Sequence, residues 1–387
     1  MTSLLHDSNP TVAALAHLVA WPTLSRESNL GLIEWYAQQL RAAHATATIV
    51  RHEETDRYGL FATIGPDTGQ GIVLSGHSDV VPVRGQRWTC DPFSLTDRDG
   101  KLFARGSSDM KGFLACMLTA ARYAAGRTLR RPLHFAISCD EEIGCVGVRS
   151  LLAFLRERGI TARGCIVGEP TGLQVAVAHK GKVAARIVCH GRAAHSANPM
   201  LGCNAIQIAA RMTQEVARIQ AEMMDAPIQD PSFDVPFNTA QVGLINGGVA
   251  LNIVPDRCET QFEMRLLPGQ SADTWLERLR ERAVGVAADY PGGAIDFEII
   301  NEYPGLVPEP DTAIRNIALQ ASQHNAVTTI GFGTEAGLFQ QELTLPTVIC
   351  GPGSIDRAHK ADEYITRDEL AAGDAFLARI VDTLCVA

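Results

Sequence analysis

The sequence lacks three features that mark large classes of protein: a long hydrophobic run, an excess of basic residues and a secretory leader. No apolar run approaches the roughly 18 residues of a membrane-spanning helix, so we expect no membrane association. Lys and Arg number 34 against 43 Asp and Glu, a net charge of −9, which argues against a nucleic-acid partner. The N-terminal segment has no basic region before its apolar residues, so we expect no secretory signal.

The sequence also lacks closely spaced cysteines. Its ten cysteines are scattered, with no CxxC pair and no CxxC…HxxxH spacing. Neither a disulfide framework nor a thiolate zinc site is therefore indicated, and we expect reduced cysteines in a cytoplasmic protein. A thiol or redox enzyme is a weak alternative, because only Cys139 lies close to the functional residues described below.

The chain is long and apolar enough for two domains: it has 387 residues, of which 46% are hydrophobic and 20% charged. Its first part alternates short apolar runs with segments of helical periodicity, which predicts an α/β domain with a central, mostly parallel sheet. The predicted strands are Gly71–Ser75, Leu133–Ser138 and Gly164–Val167, and the predicted helices are Leu30–Ala42, Lys111–Ala124 and Val146–Arg158.

The middle of the chain has a different order of elements, strand, helix, strand, strand, helix, strand. This βαββαβ order predicts an inserted ferredoxin-like α+β domain at about residues 180–304. Residues 1–179 and 305–387 then form the first domain, which continues after Pro304 with helix, strand and helix. The elements of the insert are predicted at Lys182–Cys189, Asn204–Met223, Gln241–Ile253, Cys258–Leu266, Ser271–Tyr290 and Ile295–Ile300.

Polar residues recur where the predicted strands of the first domain end. Open α/β sheets bind ligands at the carboxyl ends of their strands, so these side chains are expected to meet. They are His77 and Asp79, Asp109, the run Asp140-Glu141-Glu142, Glu169 and His359.

Two histidines, several carboxylates and no cysteine form a donor set that suits Zn²⁺, Co²⁺ or Mn²⁺. Paired metal ions usually share a carboxylate, and Asp109 is the candidate for that position. We predict that His77 and Glu169 complete one metal site and that Glu142 and His359 complete the other.

Two further carboxylates are assigned roles beside the metals. Residues i and i+2 of a strand share a face, so Asp79 is expected to reach the free ring nitrogen of His77 and fix its tautomer. Glu141, adjacent to the ligand Glu142, is predicted to act as the general base.

Each of these residues alone has an ordinary explanation. A single His77 is more often structural, the acidic run is usually a solvated turn, and His359 lies in a charged, exposed loop. Only the joint pattern, in which five separate segments each supply a metal-compatible group, favours a catalytic cleft.

Nine ordered motifs resemble those of the M20 metallopeptidase family and together cover nearly the whole chain. They are SGHSDVVPV, GSSDMKGFLA, CDEEIGCVGV, VGEPTG, GRAAHSANP, ALNIVPD, EMRLLPG, GTEAGLFQ and GPGSIDRAHKADEYI. The resemblance implies a hydrolase with two zinc or cobalt ions on His77, Asp109, Glu142, Glu169 and His359. It also implies a cis peptide bond after Asp109 and a homodimer formed through the inserted domain.

The resemblance assigns three residues of the inserted domain. His195 resembles a histidine that enters the partner subunit's active site and stabilises the oxyanion. Asn252 resembles a substrate and oxyanion contact, and Arg265 an arginine that binds the substrate α-carboxylate. Without the family, they read as a surface-loop histidine, a turn asparagine and a paired strand arginine.

The segment from Thr334 to Phe339 bears on the substrate. Desuccinylases of the family carry an arginine in this segment, whereas this chain has Leu338. Glu335 is predicted to contact a cationic side chain such as the ornithine ammonium, or else is a helix-start carboxylate. The segment most resembles the acetylornithine deacetylase branch, so we expect hydrolysis of an N-acyl amino acid, N²-acetyl-L-ornithine, in arginine biosynthesis. The alternatives are a broad aminoacylase, a desuccinylase-like deacylase, a dipeptidase and an inactive relative.

Overall fold

The computed structural model describes residues 4–53, 55–310 and 312–385, which divide into two compact units. The larger unit contains the described residues up to Ala178, Leu306–Thr329 and those from Thr334 onward. The inserted unit contains His179–Gly305 and Ile330–Gly333. The chain therefore leaves the larger unit once for a long insertion and returns to it.

The larger unit begins with helices α1 and α2 and then alternates strands with helices. Along the chain these elements are α1 (Pro10–Val19), α2 (Leu30–Ala42), β1 (Thr46–Arg51), β2 (Tyr58–Ile64), β3 (Gly71–His77), β4 (Thr96–Arg98), β5 (Lys101–Phe103), α3 (Lys111–Ala125), β6 (Leu133–Ser138), α4 (Val148–Glu157), β7 (Ala162–Pro170) and β8 (Val175–His179).

The inserted unit and the returning chain supply the remaining elements. The insert contains β9 (Gly181–His190), α5 (Ala205–Met224), β10 (Thr239–Gly247), β11 (Arg257–Leu266), α6 (Asp273–Ala288) and β12 (Ala294–Tyr303). The returning chain forms α7 (Ala313–Ser322), β13 (Val327–Ile330), α8 (Ala336–Leu343), β14 (Thr347–Gly351), β15 (Tyr364–Thr366) and α9 (Arg367–Thr383).

The larger unit is built on an eight-stranded sheet of order β1-β2-β6-β3-β7-β14-β8-β13. Strands β6, β3, β7 and β14 are parallel neighbours, while β1, β2 and β8 pair antiparallel. Every residue of β3 and β6 is buried, as expected for parallel strands that are covered on both faces. Helix α3 packs so closely that a Cβ at Gly168 would lie 2.0 Å from the Phe113 ring.

The inserted unit is a four-stranded antiparallel sheet of order β10-β11-β9-β12 with two helices. Residues of β11 alternate between buried and less buried positions, so one face of this sheet is covered. Buried residues of α5 and α6, among them Ile208, Met212 and Leu279, pack in the same core as that face. The α/β class and the inserted ferredoxin-like βαββαβ unit are thus confirmed.

The predicted elements match the structure except at the end of one strand and in the returning chain, and α1, β1, β2, β4, β5 and β8 have no predicted counterpart. The strand expected to reach Ile253 ends at Gly247, because the chain turns at Gly248, whose φ is +78°. Over the residues that the structure describes, the returning chain contains three α-helices and three strands, whereas helix, strand and helix were expected, with the strand at Thr347–Cys350, where β14 lies. The β1–β2 hairpin was not predicted, because β1 is only partly buried and its sequence shows no clear alternation of apolar and polar residues.

Among the residues that the structure describes, no helix combines the length and the apolar character needed to cross a membrane.

Candidate metal centre

Three neighbouring parallel strands bring the polar strand ends together. His77 is the last residue of β3, Glu169 lies near the end of β7, and the turn after β6 carries Glu141 and Glu142. Because β3 lies between β6 and β7, their carboxyl ends meet at one edge of the sheet. Asp109 precedes α3 at the same edge.

Asp109 lies between the two histidines, as the sequence predicts. Its Oδ1 is 3.1 Å from Nε2 of His77 and its Oδ2 is 3.4 Å from Nε2 of His359. On one side, His77 Nε2 is 3.9 Å from Oε1 of Glu169. On the other, His359 Nε2 is 2.9 Å from Oε2 of Glu142. The five predicted ligands therefore form one cluster with Asp109 in the middle.

Burial and neighbouring charges shift the pKa values of the carboxylates and of His359 in this cluster. Burial raises the pKa of Glu142 to about 7, and the nearby Asp109 carboxylate adds to the shift. Burial also raises the pKa of Glu169 well above its ordinary value, again with Asp109 contributing. Hydrogen bonds to Asp109 and Glu142 raise the pKa of His359 to about 10. For Asp109, burial is outweighed by its bonds to His359 and His77, which hold its pKa well below the usual range.

This arrangement fits divalent metal ions. The ligand atoms of His77, Asp109 and Glu142 lie within 4.8 Å of one another, as do those of His77, Glu141 and Glu169. Asp109, Glu141, Glu142 and Glu169 place four carboxylates in these two groups, and a bound cation would offset the cost of burying their charge. Imidazole and carboxylate together form a donor set typical of zinc and cobalt.

Asp79 acts on its neighbours differently from the prediction. His77 Nδ1 is 2.9 Å from the backbone carbonyl oxygen of Asp79 and donates to it, while the carboxylate is 3.5 Å away. That carboxylate accepts hydrogen bonds from the backbone N–H groups of Glu141 and Glu142, at 3.0 and 3.3 Å, and from the Ser25 hydroxyl at 2.7 Å. The expected tautomer of His77 is thus fixed by a carbonyl, and the carboxylate anchors the acidic turn.

Glu141 has a partner that the sequence did not reveal. The thiol of buried Cys145 lies 3.3 Å from Oε1 of Glu141 and donates to it. Backbone bonds from Gly144 and Cys145 to the Glu141 carbonyl close the turn, and Cys145 has a φ of +54°. The turn thereby directs this thiol at the predicted base. Burial raises the pKa of Glu141 well above its usual range, and Glu142 contributes to the rise.

Glu363 is a second residue that the sequence did not reveal. Its carboxylate accepts from the backbone N–H groups of Gly106, Ser108 and Asp109 at 2.9–3.1 Å and pairs with Nη1 of buried Arg105 at 2.6 Å. It therefore holds the loop that carries Asp109. The peptide bond between Asp109 and Met110 is cis, as the family resemblance implies. Glu363 lies within the motif GPGSIDRAHKADEYI. Its contact with the loop that carries Asp109 could not be predicted from local spacing, because the two segments are far apart in the sequence.

Glu335 is not accessible to a substrate in this structure. It precedes α8 and only 1% of its surface is exposed. Neither carboxylate oxygen makes a hydrogen bond of normal geometry within the described residues, although the hydroxyls of Ser138 and Ser75 lie beside it. Burial raises the pKa of Glu335 to about 7, and those hydroxyls oppose the rise.

The other three predicted residues belong to the inserted unit. His195 and Asn252 are exposed and adjacent, since His195 bridges to Ile253 and the Ser196 N–H donates to the Asn252 carbonyl at 3.1 Å. His195 Nδ1 accepts from the Ala197 N–H at 3.0 Å, so a neutral ring carries its proton on Nε2.

Arg265 is already paired on its strand. Its guanidinium contacts Glu263 at 3.2 Å and the Tyr303 hydroxyl at 3.2 Å. Arg265 thus has partners on its own sheet, and two of its five N–H donors remain for a ligand.

Comparison with known proteins identifies the family. The model of peptidase family M20/M25/M40 matches residues 73–383, which is most of the chain. The chain belongs to this family. The resemblance read from the nine motifs is therefore confirmed.

M20 relatives match along nearly their whole lengths. An acetylornithine deacetylase of Myxococcus xanthus is 35% identical, with 98% of this chain and 99% of the relative covered. One of Proteus mirabilis is 33% identical, with 96% and 95% covered.

Solved structures show the same fold. An M20 family metallo-carboxypeptidase of Sulfolobus solfataricus has a TM-score of 0.79 at 17% identity, covering 98% of this chain and all of that one. A dinuclear metal-binding peptidase of Bacillus subtilis has a TM-score of 0.66 at 18% identity, covering 97% of each. Family membership and the clustered ligands make this chain a metal-dependent M20 hydrolase.

Proposed function

We propose that the protein hydrolyses N²-acetyl-L-ornithine to L-ornithine and acetate. The observation that carries the hydrolytic part is the cluster in which Asp109 lies between His77 and His359, with Glu141 beside it. The substrate part rests on the acetylornithine deacetylases that match over nearly the full chain. This activity places the protein in arginine biosynthesis, in the cytoplasm.

Two Zn²⁺ or Co²⁺ ions are the proposed cofactors. His77, Glu169 and Asp109 would hold one ion, and Glu142, His359 and Asp109 the other. When bound, such ions polarise an amide carbonyl and lower the pKa of water toward neutrality.

Glu141 performs the proton transfers in this proposal. As a carboxylate beside the metal-binding cluster, it would take a proton from the attacking water and later release that proton to the departing amine. The Cys145 thiol keeps the carboxylate in one orientation, and Asp79 fixes the backbone on which it stands.

His195 supplies the oxyanion contact in the proposal, acting from the neighbouring subunit of a homodimer. Its Nε2 proton is free to donate, because Nδ1 is engaged by Ala197. Asn252 lies on the same exposed surface and is the proposed second contact. The dimer would form through the inserted unit, where Leu244, Ile245 and Val249 are exposed apolar residues.

Arg265 is proposed to bind the substrate α-carboxylate with its remaining donors, and Glu335 to recognise the ornithine ammonium. Leu338 is buried and apolar, so this segment offers no positive partner for a succinyl carboxylate. The burial of Glu335 favours a second candidate, a broad aminoacylase. If this carboxylate stays buried, it cannot select a substrate with a cationic side chain.

The test is release of free ornithine from N²-acetyl-L-ornithine by the purified protein. Metal-stripped, Zn²⁺-loaded and Co²⁺-loaded samples are compared, with N-succinyl-diaminopimelate and N-acetylmethionine alongside. Metal-dependent turnover that strongly prefers acetylornithine supports the proposal. Similar turnover of acetylmethionine favours the aminoacylase, and no turnover of any amide by metal-loaded protein contradicts both.

A further inference from the structure

An arginine-lined cavity lies at the opposite edge of the eight-stranded sheet from the metal-binding cluster. Its volume is about 490 Å³, and its lining includes Arg131, Arg163, Arg379 and Asp382. Arg131 precedes the first residue of β6 and Arg163 lies at the start of β7, whereas the metal ligands follow the ends of these strands. At roughly 3.3 Å per residue, the length of β6 separates the two sites by about 20 Å.

The arginines of this cavity form no ion pair within the part of the chain that the structure describes. Within residues 4–53, 55–310 and 312–385, the side chains of Arg131 and Arg163 make no hydrogen bond or ion pair. Nε of Arg379 donates to the Ala321 carbonyl at 2.6 Å, so its two terminal nitrogens remain available to bind an anion.

The carboxylate of the lining is already engaged. Asp382 accepts from the Tyr123 hydroxyl at 3.0 Å. With three arginines and one aspartate, the lining carries a net charge of +2, although the whole chain carries −9. An anion in this cavity would therefore meet a lining of opposite net charge.

Guanidinium groups bind oxyanions well, because their planar N–H pairs match carboxylate and phosphate oxygens. The volume is within the range of small-molecule pockets, and Ile317 and Ala321 provide an apolar wall. We propose that this cavity binds a small oxyanion with two negative charges, namely phosphate or a short dicarboxylate. The site is separate from the metal centre and does not depend on the activity proposed above.

The test is calorimetric titration of the metal-loaded protein with inorganic phosphate, sulfate and succinate, using chloride at matched ionic strength as reference. The variant R131Q/R163Q removes the two unpaired guanidinium groups. The control R149Q/R156Q removes the same charge from α4, where both arginines lie near Glu342.

The expected result is binding by the wild type and by the control, with affinity at least about tenfold weaker in R131Q/R163Q, as loss of charged hydrogen bonds implies. The anion that binds most tightly identifies the class of ligand. A preference for phosphate and sulfate indicates a tetrahedral oxyanion, and a preference for succinate indicates a dicarboxylate. Binding that both double variants retain points to the metal centre and overturns the proposal. Equal weakening of both variants, or no binding by the wild type, overturns it as well.

Discussion

Two side chains of the candidate metal centre, those of His77 and Glu141, are oriented by hydrogen bonds to uncharged groups. Nδ1 of His77 donates to a backbone carbonyl, and Glu141 accepts from the thiol of Cys145. Such partners orient a ligand or a base without adding to the negative charge of the cluster. Three predictions concern this scale.

The variant Glu141→Gln is expected to lose turnover by about 10³-fold, the range that a general base contributes. The amide cannot take the proton of the attacking water, whereas the metal ligands are unchanged. Metal content and KM for acetylornithine should therefore stay near wild type. Steady-state kinetics with metal analysis checks this, and Glu157→Gln on the exposed end of α4 is the control. Retained turnover would exclude Glu141 as the base.

The variant Cys145→Val is expected to lower kcat by about tenfold, because it removes the hydrogen bond to a charged carboxylate. Cys145→Ser keeps a donor and should recover most of the rate. Cys116→Val is the matched control, since this buried thiol contacts the Leu370 carbonyl away from the cluster. Equal losses in the Val and Ser variants, with lowered melting temperature, would indicate a packing role instead.

The variant Glu335→Gln is expected to stabilise the metal-free protein, increasingly as pH rises. The pKa of Glu335 is about 7 when folded and lies near 4.5 when exposed, so the folded state holds the proton more tightly. Between about pH 4.5 and pH 7 the unfolded state loses this proton while the folded state keeps it, so the stability of the wild type falls as pH rises through this range and then levels off. Denaturant titrations should show a gain about 2 kcal/mol larger at pH 8 than at pH 5.5. A gain independent of pH would contradict the burial of this carboxylate.

At the scale of elements, one loop decides where the central ligand stands. Gly106–Asp109 has three backbone N–H groups bound to Glu363, which lies just before β15. β15 pairs with β5, which lies just before the loop, so the two segments reach each other through a small three-stranded sheet. The position of Asp109 thus depends on a contact between distant parts of the chain.

The variant Glu363→Gln is expected to weaken metal affinity by about 10- to 100-fold, as loss of outer partners does in other metal sites. The amide accepts with one oxygen only and removes the ion pair with Arg105, so the loop that carries Asp109 is held less firmly. Competition with a chromogenic chelator measures the affinity. Glu34→Gln, on the exposed side of α2, is the control. Unchanged affinity would show that the loop holds its shape without Glu363.

At the scale of the whole molecule, the proposed activity needs residues from two subunits. Glu141 lies in the larger unit and His195 in the inserted unit, on an exposed surface. If His195 acts on the neighbouring subunit, a mixed dimer of two inactive variants contains one complete site.

Mixing Glu141→Ala with His195→Ala is expected to restore activity. Random exchange gives half heterodimers with one complete site out of two, so recovery should approach about a quarter of wild type. The measurement is turnover after refolding or slow exchange of equal amounts, with each variant alone as control. No recovery, with heterodimers demonstrated by tagged subunits, would contradict action between subunits.

The sequence by itself determined the fold class and the order of elements in the inserted unit, and it predicted which side chains cluster as candidate ligands. Periodicity marks β3, α3 and the βαββαβ insert, because a buried face must repeat with the geometry of its element. The residues after β3, β6 and β7 could be predicted to meet, since parallel strands place their carboxyl ends at one edge.

Only the tertiary structure decided which atoms make the contacts. The carbonyl rather than the carboxylate of Asp79 meets His77, Glu363 holds a loop far away in sequence, and Glu335 is buried beside two serines. The cavity combines Arg131 and Arg163, at the starts of two strands, with Arg379 of α9, which is distant from both in sequence. These features depend on side-chain packing between distant segments, and neither periodicity nor local spacing in the sequence reports such contacts.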